Sequence, residues 1–233
     1  MSQVPPPPPP ASPPPPPGGA PIGGASAPLN IGDAVGYGWN AFVKNVGPLI
    51  LVTLAVFVPS IVLNLIAQAA GNTFISLVFS LAAAIVSFIL GFGLLRAALL
   101  VTRGETPVPA DLFKTDGLGA YFVASILYAI GLYIGLILCI VPGIIFVVIF
   151  WFYGYVIAES GDAVSPTDAL ARAAAISKGK RWELFGLGVV LVLINFVGVL
   201  ACGIGLLFTY GISAIAVAYA YRSLSGQTVV QPR

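Results

Sequence analysis

The chain has 233 residues, 58% of them hydrophobic and only 8% charged, with a mean hydropathy of +1.02; soluble domains carry about 25% charged residues, so an ordinary water-soluble fold is excluded and an integral membrane protein is specified. Ten Lys and Arg against eight Asp and Glu leave a formal charge of +2, too balanced and too dispersed to grip nucleic acid. With no histidine and no acid in the middle of an apolar run, the parts for general acid–base catalysis, a zinc site or a serine–histidine nucleophile are missing, and neither an enzyme activity nor a cofactor is expected.

Residues 1–29 open with unbroken proline at 5–10 and 13–17, followed by a Gly/Ala/Pro/Ser tract. Such a segment buries no core; its prolines favour an extended rod of about 3.1 Å per residue and its glycines a flexible tether, so a disordered cytoplasmic tail is expected. It serves either as a docking site for a proline-binding protein or as a solvated spacer. No basic region leads into an apolar one, so no cleavable signal is expected and the first span must itself direct insertion. Over residues 30–45, Asn30 and Asp33 form a helix-capping pair, and Ile31, Val35, Trp39, Phe42 and Val46 recur at helical spacing. This predicts an amphipathic helix in the membrane interface with Trp39 at headgroup depth, the alternative being a soluble connector. Gly32, Gly36 and Gly38 weaken the helix by about 1 kcal/mol each.

The first span is expected at residues 46–70, with Pro59 near its middle and Ser60, Asn64 and Gln68 on one stripe facing other helices. An uncharged turn leads to the second span, 74–101, where Arg96 snorkels to the nearer surface. After a polar interval with a short helix opened by Pro107 and Pro109, residues 119–158 form an apolar run of about forty residues. As one helix it would be about 60 Å long, twice the ~30 Å hydrocarbon thickness. It must fold back, and Pro142 places the turn, giving spans 119–140 and 142–158. Gly131 and Gly135 have the spacing that lets two helices approach closely, and Trp151, Tyr153 and Tyr155 mark an interface. In the next polar interval Ser165 is an N-cap, Pro166 the first helical residue, and Asp168 pairs with Arg172. The interval ends in Lys178, Lys180, Arg181 and Trp182, and spans 184–201 and 204–221 follow, turned at Cys202 and Gly203, before a short tail at 223–233.

The expected fold is therefore all-α, a polytopic bundle of six transmembrane helices in three hairpins with short interfacial amphipathic helices, its membrane domain spanning 30–222. Each hairpin is entered through a short segment: 30–45, 106–116 and 165–178. Asp33-Ala34-Val35 and Asp168-Ala169-Leu170 occupy matching places, with Asp111-Leu112-Phe113 a looser echo; this is either an internal repeat or the generic likeness of capped segments. All eighteen charged residues fall on the side of the termini and the two long intervals, and none near Gly71, Pro142 or Gly203. The positive-inside rule then puts both termini in the cytoplasm and the protein in the inner cell membrane.

Three groups of side chains are candidates for function. Arg172, Lys178, Lys180, Arg181 and Trp182 suit anionic lipid headgroups at about 1 kcal/mol per charge, or serve topology alone. Ser60, Asn64, Gln68 and Asn195 either hydrogen-bond between helices or line a path. Cys139 and Cys202, at the outer ends of hairpins, form a disulfide if their Cα atoms come within about 7 Å, and are otherwise two small apolar residues.

Arg103-Gly104-Glu105-Thr106-Pro107, Asp111-Leu112-Phe113, Ile140-Val141-Pro142-Gly143-Ile144, Asp168-Ala169-Leu170, Lys178-Gly179-Lys180-Arg181-Trp182 and Ala218-Tyr219-Ala220-Tyr221-Arg222 together resemble a group of bacterial membrane proteins. The group comprises the YciC-like and DUF975-type proteins and the membrane domain attached to some glycerophosphoryl diester phosphodiesterases. The likeness covers about residues 30–222; the proline tail resembles those of actinobacterial membrane proteins. It implies a multi-pass membrane domain and, without a hydrolase domain in this chain, carries over no catalytic residue. The expected function is a non-enzymatic component organising lipids or partner proteins. The alternatives are a small-molecule or lipid transporter or channel, and an accessory membrane domain for a separately encoded enzyme.

Overall fold

A computed structural model describes residues 29–201 and 204–231, so the expected proline tail lies outside the described residues. The described chain is helical: α1 (Ile31–Lys44), α2 (Val46–Ala69), α3 (Thr73–Thr102), α4 (Leu118–Leu138), α5 (Ile140–Phe150), α6 (Tyr153–Ser160), α7 (Pro166–Ser177), α8 (Arg181–Leu200) and α9 (Ile204–Leu224), with 3-10 turns at Pro109–Phe113 and Gly161–Ala163. Five segments among the described residues are long and apolar enough to cross a membrane: Val46–Ala69, Thr73–Thr102, Leu118–Leu138, Ile140–Ala163 and Arg181–Leu200. Helix α2 packs along α3, α4 along α5, and α8 along α9.

The caps at Asn30 and Ser165 form as the sequence suggests: Asn30 accepts from the Gly32 N–H at 2.9 Å and Ser165 from Asp168 at 3.1 Å, and Asn72, in the turn before α3, also accepts from Phe74 at 2.9 Å. The fold-back between α4 and α5 comes slightly earlier than expected, at Cys139, which is extended, so that Pro142 sits within the first turn of α5. A Cβ on Gly131 would lie 2.3 Å from the Phe146 ring and one on Gly135 3.1 Å from Gly143 Cα, so the glycine spacing does mark the line along which α4 and α5 touch. The stretch Ile140–Ala163, which contains the expected span 142–158, is long and apolar enough to cross a membrane, but it is not one regular helix. It breaks at Trp151 and Phe152, whose backbones stay near helical values, and Phe152 turns fully into the core.

Helix α1 packs on α9, burying Ala34, Tyr37, Gly38, Ala41 and Phe42, while Trp39 stays 58% exposed. A Cβ on Gly38 would stand 2.7 Å from the Ile212 carbonyl oxygen. The small residues let the two backbones approach, and Tyr37 and Phe42 pack beside that crossing. The glycines that weaken α1 as an isolated helix include the one that docks it.

The matching segments also take matching places. Asn30, Val108 and Ser165, each three residues before Asp33, Asp111 and Asp168, are all N-caps, and Ala34, Leu112 and Ala169, each following its Asp, are fully buried. Each segment packs on the helix that closes the preceding pair: the 3-10 turn on α3, α7 on α6 and, closing the circle, α1 on α9. After α3, α6 and α9 the chain turns through a glycine with positive φ, Gly104, Gly161 and Gly226, and three residues beyond each lies a buried side chain, Pro107, Val164 and Val229. Such coincidence of caps, turns and burial favours the internal repeat over generic likeness.

Burial is uneven along the bundle. Helix α3, 30 residues and about 45 Å long, exceeds the ~30 Å hydrocarbon thickness. Its buried residues gather from Leu90 onward, and α9 is buried from Ile212 to Arg222, whereas the opposite ends carry exposed Phe74, Leu77, Leu81, Ile137 and Leu138. One end is a packed core and the other a set of lipid-facing helices. The packed end depends on Gly93, where a Cβ would fall 2.5 Å from the Leu112 backbone, while Gly91 has open space around it. Gly93→Ala is expected to lower stability by about 1–3 kcal/mol and Gly91→Ala to leave it unchanged or raise it, as read by thermal unfolding in detergent.

Candidate intramembrane cavity and charged end

Where the packed end gives way to the lipid-facing helices, an open-sided cavity of about 800 Å³ lies between α3, α4, α5, α6, α8 and α9, and side chains along its mouth, Val189, Val192 and Tyr210 among them, are exposed. Leu94 and Leu95 form one wall, Val148 and Trp151 another, and Phe185, Val189 and Val192 of α8 with Tyr210 and Ala214 of α9 face them. Its walls pack closely on glycines: a Cβ on Gly188 would meet the Trp151 ring at 3.0 Å, and one on Gly154 would meet Leu95 at 2.6 Å and the Tyr121 ring at 3.2 Å. A relay of rings, Phe92, Tyr121, Tyr153, Tyr128 and Phe146, runs beside it at centroid spacings of 4.5 to 5.7 Å. Polar groups are few. Asn195 donates to Ser213 Oγ and to the Leu191 carbonyl, both at 2.8 Å, and its Oδ1 is buried without a partner among the described residues.

The expected polar stripe does not assemble into one path. Ser60 reaches Ser87 Oγ of α3 at 2.8 Å, and Asn64 donates to the Ser60 carbonyl at 2.7 Å, but Asn64 and Gln68 are exposed, and Asn195 makes its bonds on α8 and α9. Of the basic group, Arg172 is exposed on α7 and forms no ion pair with Asp168. Lys178 caps the end of α7, Lys180 pairs with Glu183 at 3.2 Å, and Arg181 and Trp182 open α8. The Trp182 ring stands edge-on to Phe185, a wall of the cavity, at 6.2 Å. Cys139 is exposed between α4 and α5; Cys202 lies outside the described residues, so their pairing stays an expectation.

At the charged end the sequence reading missed a hub. Glu159 accepts from Arg103 at 3.1 Å, Tyr221 at 2.7 Å and Gln227 at 2.8 Å, which ties α6 to the ends of α3 and α9 and to the chain beyond α9. That terminal segment is then strapped down: Tyr37 donates to the Val230 carbonyl at 2.7 Å, the Val230 N–H donates to the Thr102 carbonyl at 3.0 Å, and Arg222 to the Thr228 carbonyl at 2.8 Å. Burial raises the Tyr37 phenol well above its usual range, so it remains a donor at any physiological pH. Glu159 is the first charge after the long apolar run, but its partners lie 56 to 68 residues away, and no local spacing reveals them. Arg96 extends toward the polar interval after α3, where it donates to the carbonyls of Lys114 and Asp116, and it lies 4.9 Å from the Phe92 ring centre.

No protein-family model matches the chain, and no solved structure matches it. Over 240 aligned positions it is 28% identical to Uncharacterized protein Rv2560 of Mycobacterium tuberculosis (strain ATCC 25618 / H37Rv), an alignment covering 88% of this chain and 72% of that relative. Identity and coverage are the same for Uncharacterized protein Mb2590 of Mycobacterium bovis (strain ATCC BAA-935 / AF2122/97). Neither name states an activity.

Glu159→Ala strands three donors and is expected to cost about 1–3 kcal/mol and to release the terminal segment, read as faster labelling of a cysteine placed at Val229; Glu159→Gln, keeping an acceptor oxygen, loses less. A separate test uses pH. The Lys114 ammonium 2.8 Å from Asp111, with the Val108 N–H at 3.0 Å, holds that carboxyl below the usual range. With the folded value depressed, the stability it adds is present above about pH 4 and is lost as pH falls through the folded value. Asp111→Asn should therefore lower the thermal midpoint at neutral pH and match the wild type in acid.

Proposed function

We propose that this protein is a non-enzymatic, six-span component of a bacterial inner membrane, built as three hairpins with both termini cytoplasmic, that organises lipid by holding it within the bundle. We place it with the YciC-like and DUF975-type proteins and assign its proline tail to a protein partner. The observation that carries the reading is the cavity, which is walled by apolar and aromatic side chains at the seam between packed and lipid-facing helices. Its walls are mostly apolar, with Asn195 of α8 and Ser213 of α9 among the polar side chains that line it, so an acyl chain fits it better than a polar solute does.

A transporter is the second reading, and the buried, unpartnered Oδ1 of Asn195 favours it, since a polar group deep in a bundle marks many solute paths. Against it, Ser60, Asn64 and Gln68 do not join Asn195.

The test is lipid analysis of protein purified in mild detergent. The wild type is expected to retain lipid through extended washing, and Val189→Phe with Val192→Phe, which fill the cavity, to lose most of it while keeping the helical content. Equal retention by the two would remove the cavity from the account.

A further inference from the structure

We infer that the lipid is an anionic phospholipid, its chain in the cavity and its phosphate held by Lys178 and Arg181 with Trp182 beside it. The inference rests on the lipid-holding reading of the cavity and adds the class of headgroup.

The argument follows one face of α8. Phe185, Val189 and Val192 are spaced four and three residues apart, so they lie along one stripe, and all three line the cavity. Carried back by one turn, the same stripe reaches Arg181 and Trp182. Trp182 is 86% exposed, and its ring meets Phe185 edge-on, so an aromatic contact joins the cavity wall to the charged end. Lys178 lies just before it, at the end of α7.

Charge singles out the headgroup. The acid of this cluster, Glu183, is already engaged, accepting from Lys180 at 3.2 Å and from the Leu29 N–H at 2.9 Å. Lys178 and Arg181 are exposed and form no ion pair among the described residues. Two cations thus stand uncompensated beside an apolar cavity. A zwitterionic headgroup would bring its own cation to them, whereas an anionic one would not. A free phosphate or nucleotide is a poorer fit, because the enclosure adjoining these cations is apolar.

Length agrees. From Arg181 to Val192 is eleven residues, about 16 Å along the helix, close to half of the ~30 Å hydrocarbon thickness. Cations and cavity therefore span one leaflet, as a single phospholipid does. Trp182 falls at the depth where indole rings concentrate in membrane proteins.

The experiment measures exchange of labelled lipid into the full chain in detergent, using phosphatidylglycerol and phosphatidylcholine with identical acyl chains. The wild type is expected to prefer phosphatidylglycerol, and Lys178→Gln with Arg181→Gln to weaken that lipid on the order of twentyfold while leaving phosphatidylcholine unchanged. Lys178→Arg with Arg181→Lys should restore the preference, which a merely structural role for the two residues would not guarantee. Glycerol phosphate in solution should fail to displace the lipid. Equal binding of the two lipids by the wild type, or a preference that survives the glutamine pair, overturns the headgroup assignment and leaves the cavity reading standing. If instead Val189→Phe with Val192→Phe changes the uptake of neither lipid, the cavity reading fails and this inference with it.

Discussion

At Gly38 the backbone of α1 comes into contact with the backbone of α9, a Cβ there having 2.7 Å to the Ile212 carbonyl oxygen. Helices surrounded by lipid have no hydrophobic reason to associate, so dispersion and polar contacts across such close crossings must supply the adhesion. Much else is positioned by this one approach. It brings Tyr37 to the terminal segment, lays Phe42 against Gly211 and Phe208, and draws Leu29 to Glu183 at the start of α8. The same device recurs where Leu112 seats on Gly93.

Close packing at the charged end has a counterpart at the other. There the helices carry large exposed aliphatic residues, Ile137 being 82% exposed, as suits a surface solvated by acyl chains. A bundle tight at one end and open at the other must have a seam, and the cavity lies in it. Trp151 and Tyr121 pack closely on Gly188 and Gly154 along its walls, while Asn195 and Ser213 close a hydrogen bond between α8 and α9. Architecture and the proposed lipid-holding role thus follow from one distribution of small and large residues. The Glu159 hub keeps the tight end shut by joining three helix ends through one carboxylate.

How much of this could be read in the sequence depends on the range of the interaction. Caps at Asn30 and Ser165 involve neighbours two or three residues away, and were legible. So were five of the expected apolar spans and the close line at Gly131 and Gly135, since hydropathy and helical spacing are local. The docking of α1 on α9, with Gly38 at the crossing and Tyr37 and Phe42 beside it, was not legible, because its partner helix lies far along the chain. Only part of the repeat was visible, at Asp33, Asp111 and Asp168; the glycines at 104, 161 and 226 gained meaning once their positive φ was known. Neither the cavity nor the Glu159 hub had any local signal, for both arise between residues far apart in the chain.

The central claim is that a lipid chain lies inside the bundle rather than only around it. The most direct measurement is photo-crosslinking in membranes with a phospholipid carrying a diazirine near the middle of its acyl chain, with adducts mapped by peptide mass spectrometry. The account predicts adducts on cavity-lining Val148 and Leu191, which are buried from the outer surface, alongside those on lipid-facing residues. Adducts confined to outward-facing side chains such as Ile137, Leu138 and Ile140 would contradict it.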